Sequence, residues 1–287
     1  MNLLKSILNS LELFFGLYSF LYLSIYSILL YLSVKATIKH FRGKKELNEK
    51  VLTLTDESTG VSIIAPAFNE EQTIIESVKS FFSQIYSKYE VVIINDGSTD
   101  NTLGLLIDEF DLVKVDFYYI EKIPTQPVRG HYKSTNPLYS KLLVVDKENG
   151  KSKADASNAG INSCKYSIFI CTDVDCILRA DTIAMMVKPF VTSKKRVIAS
   201  GATIRMANQS DVKDGNLVQH HYPDNFYAGF QELEYLRSFI FGRMAFSSFN
   251  GLLLVSGGLG MFDKDIVFAA GGYWHKSLGE DLDLVIR

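Results

Sequence analysis

The chain has 287 residues, a formal net charge of −2, a hydrophobic fraction of 47% and three cysteines. This length can bury one substantial core and allows one or two domains. A charge near zero gives no electrostatic basis for binding nucleic acid, so we predict no nucleic-acid partner. The odd number of cysteines, without a Cys-x-x-Cys pair, argues against a disulfide framework and a structural zinc site.

The N-terminal segment predicts a membrane anchor followed by a tether. Residues 13–34 contain no charged side chain, and a helix of this length can cross a hydrocarbon core about 30 Å thick. A signal peptide is the alternative, but no small-residue cleavage site follows the apolar run. Basic residues follow it instead: Lys35, Lys39, Arg42, Lys44 and Lys45. We expect residues 1–12 to be an N-terminal tail, residues 35–58 a basic and polar tether, and the rest to lie on the cytoplasmic face of the inner membrane.

From residue 59 onwards, strand and helix patterns alternate, which predicts a doubly wound and mostly parallel α/β sheet. Apolar, β-branched runs predict strands at residues 61–66, 89–95, 142–146 and 196–206 and in the first part of 167–176. Apolar residues at helical spacing predict helices at residues 69–86, 101–110, 154–162, 180–190 and 264–269, the first of them capped by Asn69.

Two further segments have a distinct composition. Residues 117–145 hold three prolines and are expected to form an irregular functional loop that ends in the short strand at 142–146. A long aromatic helix is expected at residues 226–249. It is predicted to be a core or interdomain helix or, given the anchor on the same chain, a helix at the membrane interface.

Charged residues follow the predicted strands, at the edge where ligands bind to open α/β sheets. Asp173 and Asp175 end one strand, and carboxylates at i and i+2 of an extended segment can reach one cation, with a diphosphate supplying further oxygens. Lys153 at a helix start suits the same phosphates, and Asp96 can accept hydrogen bonds from a base or ribose. Asp281 can remove a proton from an acceptor hydroxyl, so the set fits inverting glycosyl transfer. Each feature alone is also common in ordinary loops and helix starts.

Five segments stand in the order found in family 2 glycosyltransferases. They are Ile64-Ala-Pro-Ala-Phe-Asn-Glu-Glu71, Ile94-Asn-Asp-Gly-Ser-Thr-Asp100, Lys153-Ala-Asp-Ala-Ser-Asn-Ala-Gly160, Thr172-Asp-Val-Asp175 and Gly279-Glu-Asp281. The chain resembles the processive, membrane-bound branch that includes cellulose, hyaluronan and poly-N-acetylglucosamine synthases, and the resemblance covers residues 61–287. It implies a GT-A fold (a Rossmann-like sheet), a nucleotide-sugar donor that is usually UDP-linked, Mg²⁺ or Mn²⁺ as cofactor, and a saccharide or lipid-linked acceptor at the lipid bilayer.

The resemblance also implies a role for each site residue. Those implied to lie beside the nucleotide or its diphosphate are Ala65, Pro66, Glu70, Asp96 (against the uridine) and Lys153 (near the diphosphate). Those implied to bind the sugar nucleotide and the metal are Asp173 and Asp175, and the implied catalytic base is Asp281.

The chain departs from the family pattern in three respects. The Q-x-x-R-W motif and the C-terminal transmembrane helices of the family are absent from the sequence, and the segment 122–145 is longer than the loop expected there. We therefore expect residues 59–287 to be a glycosyltransferase catalytic domain that is incomplete at its C-terminus, with the remainder supplied by a missing half or a separate chain. Two alternatives stay open: an inactive nucleotide-sugar-binding partner subunit, and a polyprenyl-phosphate glycosyltransferase that shares the early motifs.

Overall fold

A computed structural model describes residues 2–51, 59–208, 210–249, 251 and 254–287. Helix α1, Asn2–Val51, is continuous and 50 residues long. The predicted membrane helix covered residues 13–34, and α1 extends beyond it in both directions, into the expected tail and into the first part of the expected tether. Residues 52–58 of that tether lie outside the described residues. Within α1, the segment Leu4–Lys39 is long and apolar enough to cross a membrane.

Eight strands form the main sheet. They are β1 (Val61–Ala67), β2 (Tyr89–Asn95), β3 (Leu112–Val115), β4 (Val128–Ser134), β5 (Leu142–Lys147), β6 (Ile168–Thr172), β7 (Ala199–Gly201) and, after a separate hairpin of β8 (Asp211–Lys213) and β9 (Asn216–Gln219), β10 (Leu259–Asp263). The order across the sheet is β3-β4-β5-β2-β1-β6-β10-β7. The central strands β5, β2, β1 and β6 are parallel, while β4 and β10 run antiparallel to their neighbours.

Helices cover both faces of the sheet. They are α2 (Ile74–Phe82), α3 (Thr102–Glu109), α4 (Lys153–Ser163), α5 (Thr182–Thr192), α8 (Lys264–Ala269) and α9 (Glu280–Ile286). Because successive side chains of a strand point to opposite faces, Ile63 packs into a core with α2, α3 and α5, whereas Ile64 packs into a second core with α4, α8 and α9. Burial on both faces is typical of parallel sheets, and the doubly wound, mostly parallel fold that we predicted is confirmed.

Three local predictions were wrong. The first catalytic-domain helix begins at Ile74 rather than at residue 69, because Asn69 has a positive φ of 57° and its side-chain oxygen accepts from the backbone N–H of Thr99 at 2.8 Å. The expected loop at 117–145 contains β4, which pairs with β3 and β5. Within β4 only His131 is buried, so the sequence carried no apolar signal for it. The strand expected at 196–206 is limited to Ala199–Gly201.

The long aromatic helix expected at residues 226–249 is present, and it ends at Ser247. It consists of α6 (Phe226–Leu236), a π-helical segment (Arg237–Arg243) and α7 (Met244–Ser247).

The aromatic helix packs against α1. The Ser33 hydroxyl donates to the Ile240 carbonyl at 2.6 Å, and the rings of Tyr26 and Phe241 stack with centroids 5.6 Å apart. On its other face, the buried Glu232 accepts hydrogen bonds from the chain at residues 205–206. The helix therefore contacts both α1 and the catalytic domain, as expected for an interdomain helix. Its position relative to a membrane stays a prediction.

Candidate active site

The paired aspartates lie at the carboxyl end of β6, as predicted. The backbone N–H of Asp173 donates to the Gly258 carbonyl at 3.4 Å, which fixes the residue against the start of β10. Oxygens of Asp173 and Asp175 and the Cys176 sulfur lie within 4.8 Å of one another. Burial raises the pKa of the Cys176 thiol to about 12, so this group is a neutral thiol. Two solvent-accessible carboxylates are a suitable donor set for Mg²⁺ or Mn²⁺, with room for phosphate oxygens and water.

Lys153 reaches the same place from α4, of which it is the first residue. Its ammonium forms an ion pair with the Asp173 carboxylate and donates to the Gly257 carbonyl at 2.9 Å. The helix start is fixed because the Ser152 hydroxyl accepts from the Ala154 N–H at 3.2 Å. Burial lowers the pKa of Lys153, but electrostatic interactions with the Cys171 sulfur and the Asp173 carboxylate outweigh it, so the pKa is raised overall. A permanent cation therefore stands beside the paired aspartates.

Asp281 lies in the first turn of α9, and its Oδ2 accepts from the Gly257 N–H at 3.0 Å. Gly257 thus bridges the site: its N–H binds the expected base, while its carbonyl binds Lys153. The opposite end of α9 is held by Arg287, whose guanidinium donates to the Gly272 carbonyl at 2.7 Å. The structure therefore brings three of the predicted residues together, although they are far apart in sequence.

Sequence reasoning did not identify Gly257, which contacts Lys153 and Asp281, or Gly258, which contacts Asp173, as site residues. The sequence Ser256-Gly-Gly-Leu-Gly260 by itself indicates only a bend with a permissive backbone. A Cβ built on Gly258 would lie 2.9 Å from Ile204 Cδ1 and 3.3 Å from Asp173 Oδ2, so this position has little room for a side chain. A pair of glycines between an aromatic helix and a buried strand was the signal that the backbone approaches the site closely.

Asp96 follows β2 and is 5% exposed. Its Oδ1 accepts from the Lys147 ammonium at 2.6 Å and from the Gly150 N–H at 3.0 Å. Lys147, the last residue of β5, is fully buried and also pairs with Asp155 at 2.6 Å. Sequence reasoning singled out Asp96 but missed Lys147. The available signal was a lysine directly after the apolar run 142–145 and Asp146, since an unpaired lysine is rarely buried.

The remaining predicted residues lie at the end of β1. Ala65 and Pro66 pair in register with Ile93 and Ile94, so they are next to the strand that leads to Asp96. The Glu70 carboxylate accepts from the Thr73 hydroxyl at 2.8 Å, and so it contacts the start of α2. The predicted residues thus form two groups on one sheet edge, one at the ends of β1 and β2 and one around Gly257.

Comparisons with known proteins identify the family and the fold. The sequence profile described as Glycosyl transferase family 2 matches residues 62–118 and 125–256. The chain is 28% identical over 166 residues to a poly-beta-1,6-N-acetyl-D-glucosamine synthase of Staphylococcus aureus (strain COL), which covers 58% of this chain and 34% of the relative. The synthase of the same name from Staphylococcus epidermidis is 26% identical over 174 residues, or 60% of this chain and 35% of the relative. The matched part of the chain thus spans about a third of these relatives.

Among solved structures, the fold is similar to that of the mannosyltransferase PcManGT from Pyrobaculum calidifontis in complex with GDP-Man and Mn2+. The TM-score is 0.51 at 19% identity, and the match covers 88% of this chain and 61% of that chain. This likeness, together with the profile match, confirms the predicted GT-A fold.

Proposed function

Because the chain belongs to glycosyl transferase family 2 and is related to polysaccharide synthases, we propose that it transfers a sugar from a UDP-sugar to a saccharide acceptor with inversion at the sugar carbon. The observation that carries this proposal is that Gly257 contacts both Lys153 and Asp281, while Lys153 also pairs with Asp173. A cation, a metal-binding carboxylate and a base are the groups that leaving-group departure and acceptor activation require.

In the proposed mechanism the donor and acceptor meet at this cluster. Asp173 and Asp175 would hold Mg²⁺ or Mn²⁺, which when bound neutralises charge on the leaving diphosphate. Lys153 contributes a second positive charge to the same phosphates. Asp281 takes the proton of the acceptor hydroxyl, and the Gly257 N–H bound to its Oδ2 keeps the carboxylate oriented toward the cleft.

We assign the nucleoside to the ends of β1 and β2, where Ala65, Pro66, Glu70 and Asp96 lie. The carboxylate of Asp96 is an acceptor suited to the N–H edge of a base. The distance across the sheet edge from this group to the paired aspartates is then spanned by the ribose and the diphosphate.

The acceptor is proposed to be a growing polysaccharide, or a lipid-linked saccharide, made for the cell surface. The name of the staphylococcal relatives supports a polysaccharide product. Because the matched part of the chain spans only about a third of these relatives, we propose that further sequence or a separate chain supplies the Q-x-x-R-W motif and additional membrane helices.

The site is proposed to face the cytoplasm at the inner membrane. The candidate span Leu4–Lys39 and the basic residues after it support this orientation. The aromatic helix supports a location close to the bilayer, because it packs on α1 while Phe226, Phe230 and Leu233, at i, i+4 and i+7, expose one apolar face. Protease protection of the catalytic domain in sealed inside-out and right-side-out vesicles tests the orientation.

Isothermal titration of the full chain in nanodiscs with UDP, with and without Mn²⁺, tests the donor site. We expect binding that depends on Mn²⁺ and that the double change Asp173→Ala and Asp175→Ala removes. Binding of UDP that is unaffected by these changes would contradict the assignment of the metal site. Transfer or donor hydrolysis that is lost in Asp281→Asn, with UDP binding kept, tests the base.

A further inference from the structure

Lys147 stands out because it is a fully buried lysine whose ammonium has three oxygen partners. These are Asp96 Oδ1 at 2.6 Å, Asp155 Oδ2 at 2.6 Å and the carbonyl oxygen of Glu148 at 2.5 Å. The contacts with Asp96 and Glu148 are hydrogen bonds and the contact with Asp155 is an ion pair, so three oxygens surround one buried ammonium. A charge buried this fully persists only with such compensation, which marks the arrangement as a specific feature of the fold.

The partners of Lys147 belong to both halves of the site. Asp96 directly follows β2 on the nucleoside side, while Asp155 lies in the first turn of α4, two residues after Lys153 on the diphosphate side. The Asp96 carboxylate also fixes the connection between β5 and α4, because its Oδ1 accepts from the Gly150 N–H. One ammonium thus holds together the two places that a nucleotide diphosphate would contact.

The Asp96 carboxylate is constrained by these bonds. Oδ1 accepts from both Lys147 and Gly150, so rotation of the carboxylate about its terminal bond would break two hydrogen bonds at once. The turn beneath it is equally tight: Gly97 has a φ of 67°, and a Cβ there would lie 2.7 Å from the backbone nitrogen of Asn149. The direction in which Asp96 presents its acceptor is therefore set by buried contacts.

We propose that Lys147 is a positioning residue for the nucleotide, acting through Asp96 on base selection. This inference rests on the proposed function and deepens it. Lys147 is inaccessible to solvent and does not touch the donor itself. It holds the Asp96 carboxylate in one orientation, as a charged acceptor for a base N–H, and keeps the first turn of α4 in register with it. A base without a matching N–H leaves that buried acceptor unpaired, which is how hydrogen-bonding sites discriminate.

The experiment measures base preference in the full chain in nanodiscs. Affinities for UDP, CDP, GDP and ADP, and for inorganic diphosphate, are determined with Mn²⁺ for wild type, Lys147→Met and the control Lys151→Met, an exposed lysine of the same connection. We expect wild type to prefer one base about tenfold or more, as a buried hydrogen bond allows. The preference should fall to within about threefold in Lys147→Met, with diphosphate affinity changing less, and should be unchanged in Lys151→Met.

Two further variants guard against a loss of folding. The double variant Lys147→Met with Asp155→Asn removes one charge of each sign and leaves Asp96 bound to Gly150, so it is the test if the single variant does not fold. Asp155→Asn alone keeps the bond between Lys147 and Asp96, and is expected to retain the base preference.

The outcomes separate this inference from the proposed function. A wild-type preference that survives in Lys147→Met or the double variant would overturn the inference alone, as would an equal loss of affinity for every nucleotide and for inorganic diphosphate, which indicates a purely structural role. A wild type that binds no nucleotide would overturn the proposed function together with the inference.

Discussion

Two lysine–aspartate pairs, whose lysines are six positions apart in sequence, differ in exposure and in the elements that they join. In the pair of Lys147 and Asp96 the side chains are 0% and 7% exposed, whereas in the pair of Lys153 and Asp173 they are 33% and 41% exposed. The first pair joins the ends of two neighbouring parallel strands, β5 and β2. The second joins the first residue of α4 to the loop after β6, at the mouth of the site.

This difference in exposure separates a permanent contact from an exchangeable one. Solvent screens the pair at Lys153, so breaking it costs at most about 1 kcal/mol, and a metal with a diphosphate can take its place. The pair at Lys147 has no access to water, and removal of one partner leaves an uncompensated charge. The exposed pair is therefore suited to binding ligands, while the buried pair is suited to holding the geometry around them.

The largest effect is expected from breaking the exposed pair on its acidic side. Asp173→Asn removes a proposed metal ligand, and because a bound metal supplies several kcal/mol of charge stabilisation, we expect transfer activity to fall about 10³-fold. The melting temperature should stay close to that of wild type. Assays of sugar transfer across a range of Mn²⁺ concentrations check this, with Asp108→Asn on the outer surface of α3 as the control.

The second prediction concerns stability, for which the buried lysine should matter more than the exposed one. Lys147→Met should lower the free energy of unfolding by about 3–5 kcal/mol, whereas Lys153→Met should lower it by less than about 1 kcal/mol. Urea unfolding of the two variants, followed by circular dichroism, provides the measurement. Equal losses of stability would show that exposure does not distinguish the pairs.

The third prediction concerns diphosphate binding at the exposed pair. Lys153→Met removes the proposed charge-assisted contact to phosphate, so we expect affinity for UDP with Mn²⁺ to fall about tenfold or more. The remaining binding should also depend less on salt between 0.1 and 1 M, because screening acts on exposed charges. Titration calorimetry at these ionic strengths tests both points; a variant that keeps the wild-type salt dependence would place the phosphates elsewhere.

The smallest effect is expected from crowding Asp173 without changing its charge. Gly258→Ala brings a methyl group to within 3.3 Å of Asp173 Oδ2, so donor affinity should fall a few-fold while the fold is retained. Gly229→Ala is the matched control, since nothing lies within 4 Å of a Cβ there. That change should leave binding unaffected and stabilise α6 by about 0.5–1 kcal/mol.

Much of the fold and several site residues were predictable from sequence because they depend on local pattern. The central strand Tyr89–Asn95 was predicted to the residue, since its apolar run is bounded by polar residues on both sides. The positions of Lys153 and of Asp173 at strand and helix ends followed from the same alternation. Strand β4 was missed because an exposed strand near the edge of a sheet has no apolar periodicity to detect.

Sequence by itself determined which charged residues stand at the carboxyl ends of the strands, and that an apolar segment precedes them. Only the tertiary structure decided which lysine meets which aspartate, that Gly257 connects Lys153 with Asp281, and that the aromatic helix packs on α1. The physical reason is that local pattern depends on neighbours three or four residues away, whereas burial of Lys147 depends on β5 and β2 lying side by side. Two lysines six residues apart thus differ in exposure because of the elements packed around each of them.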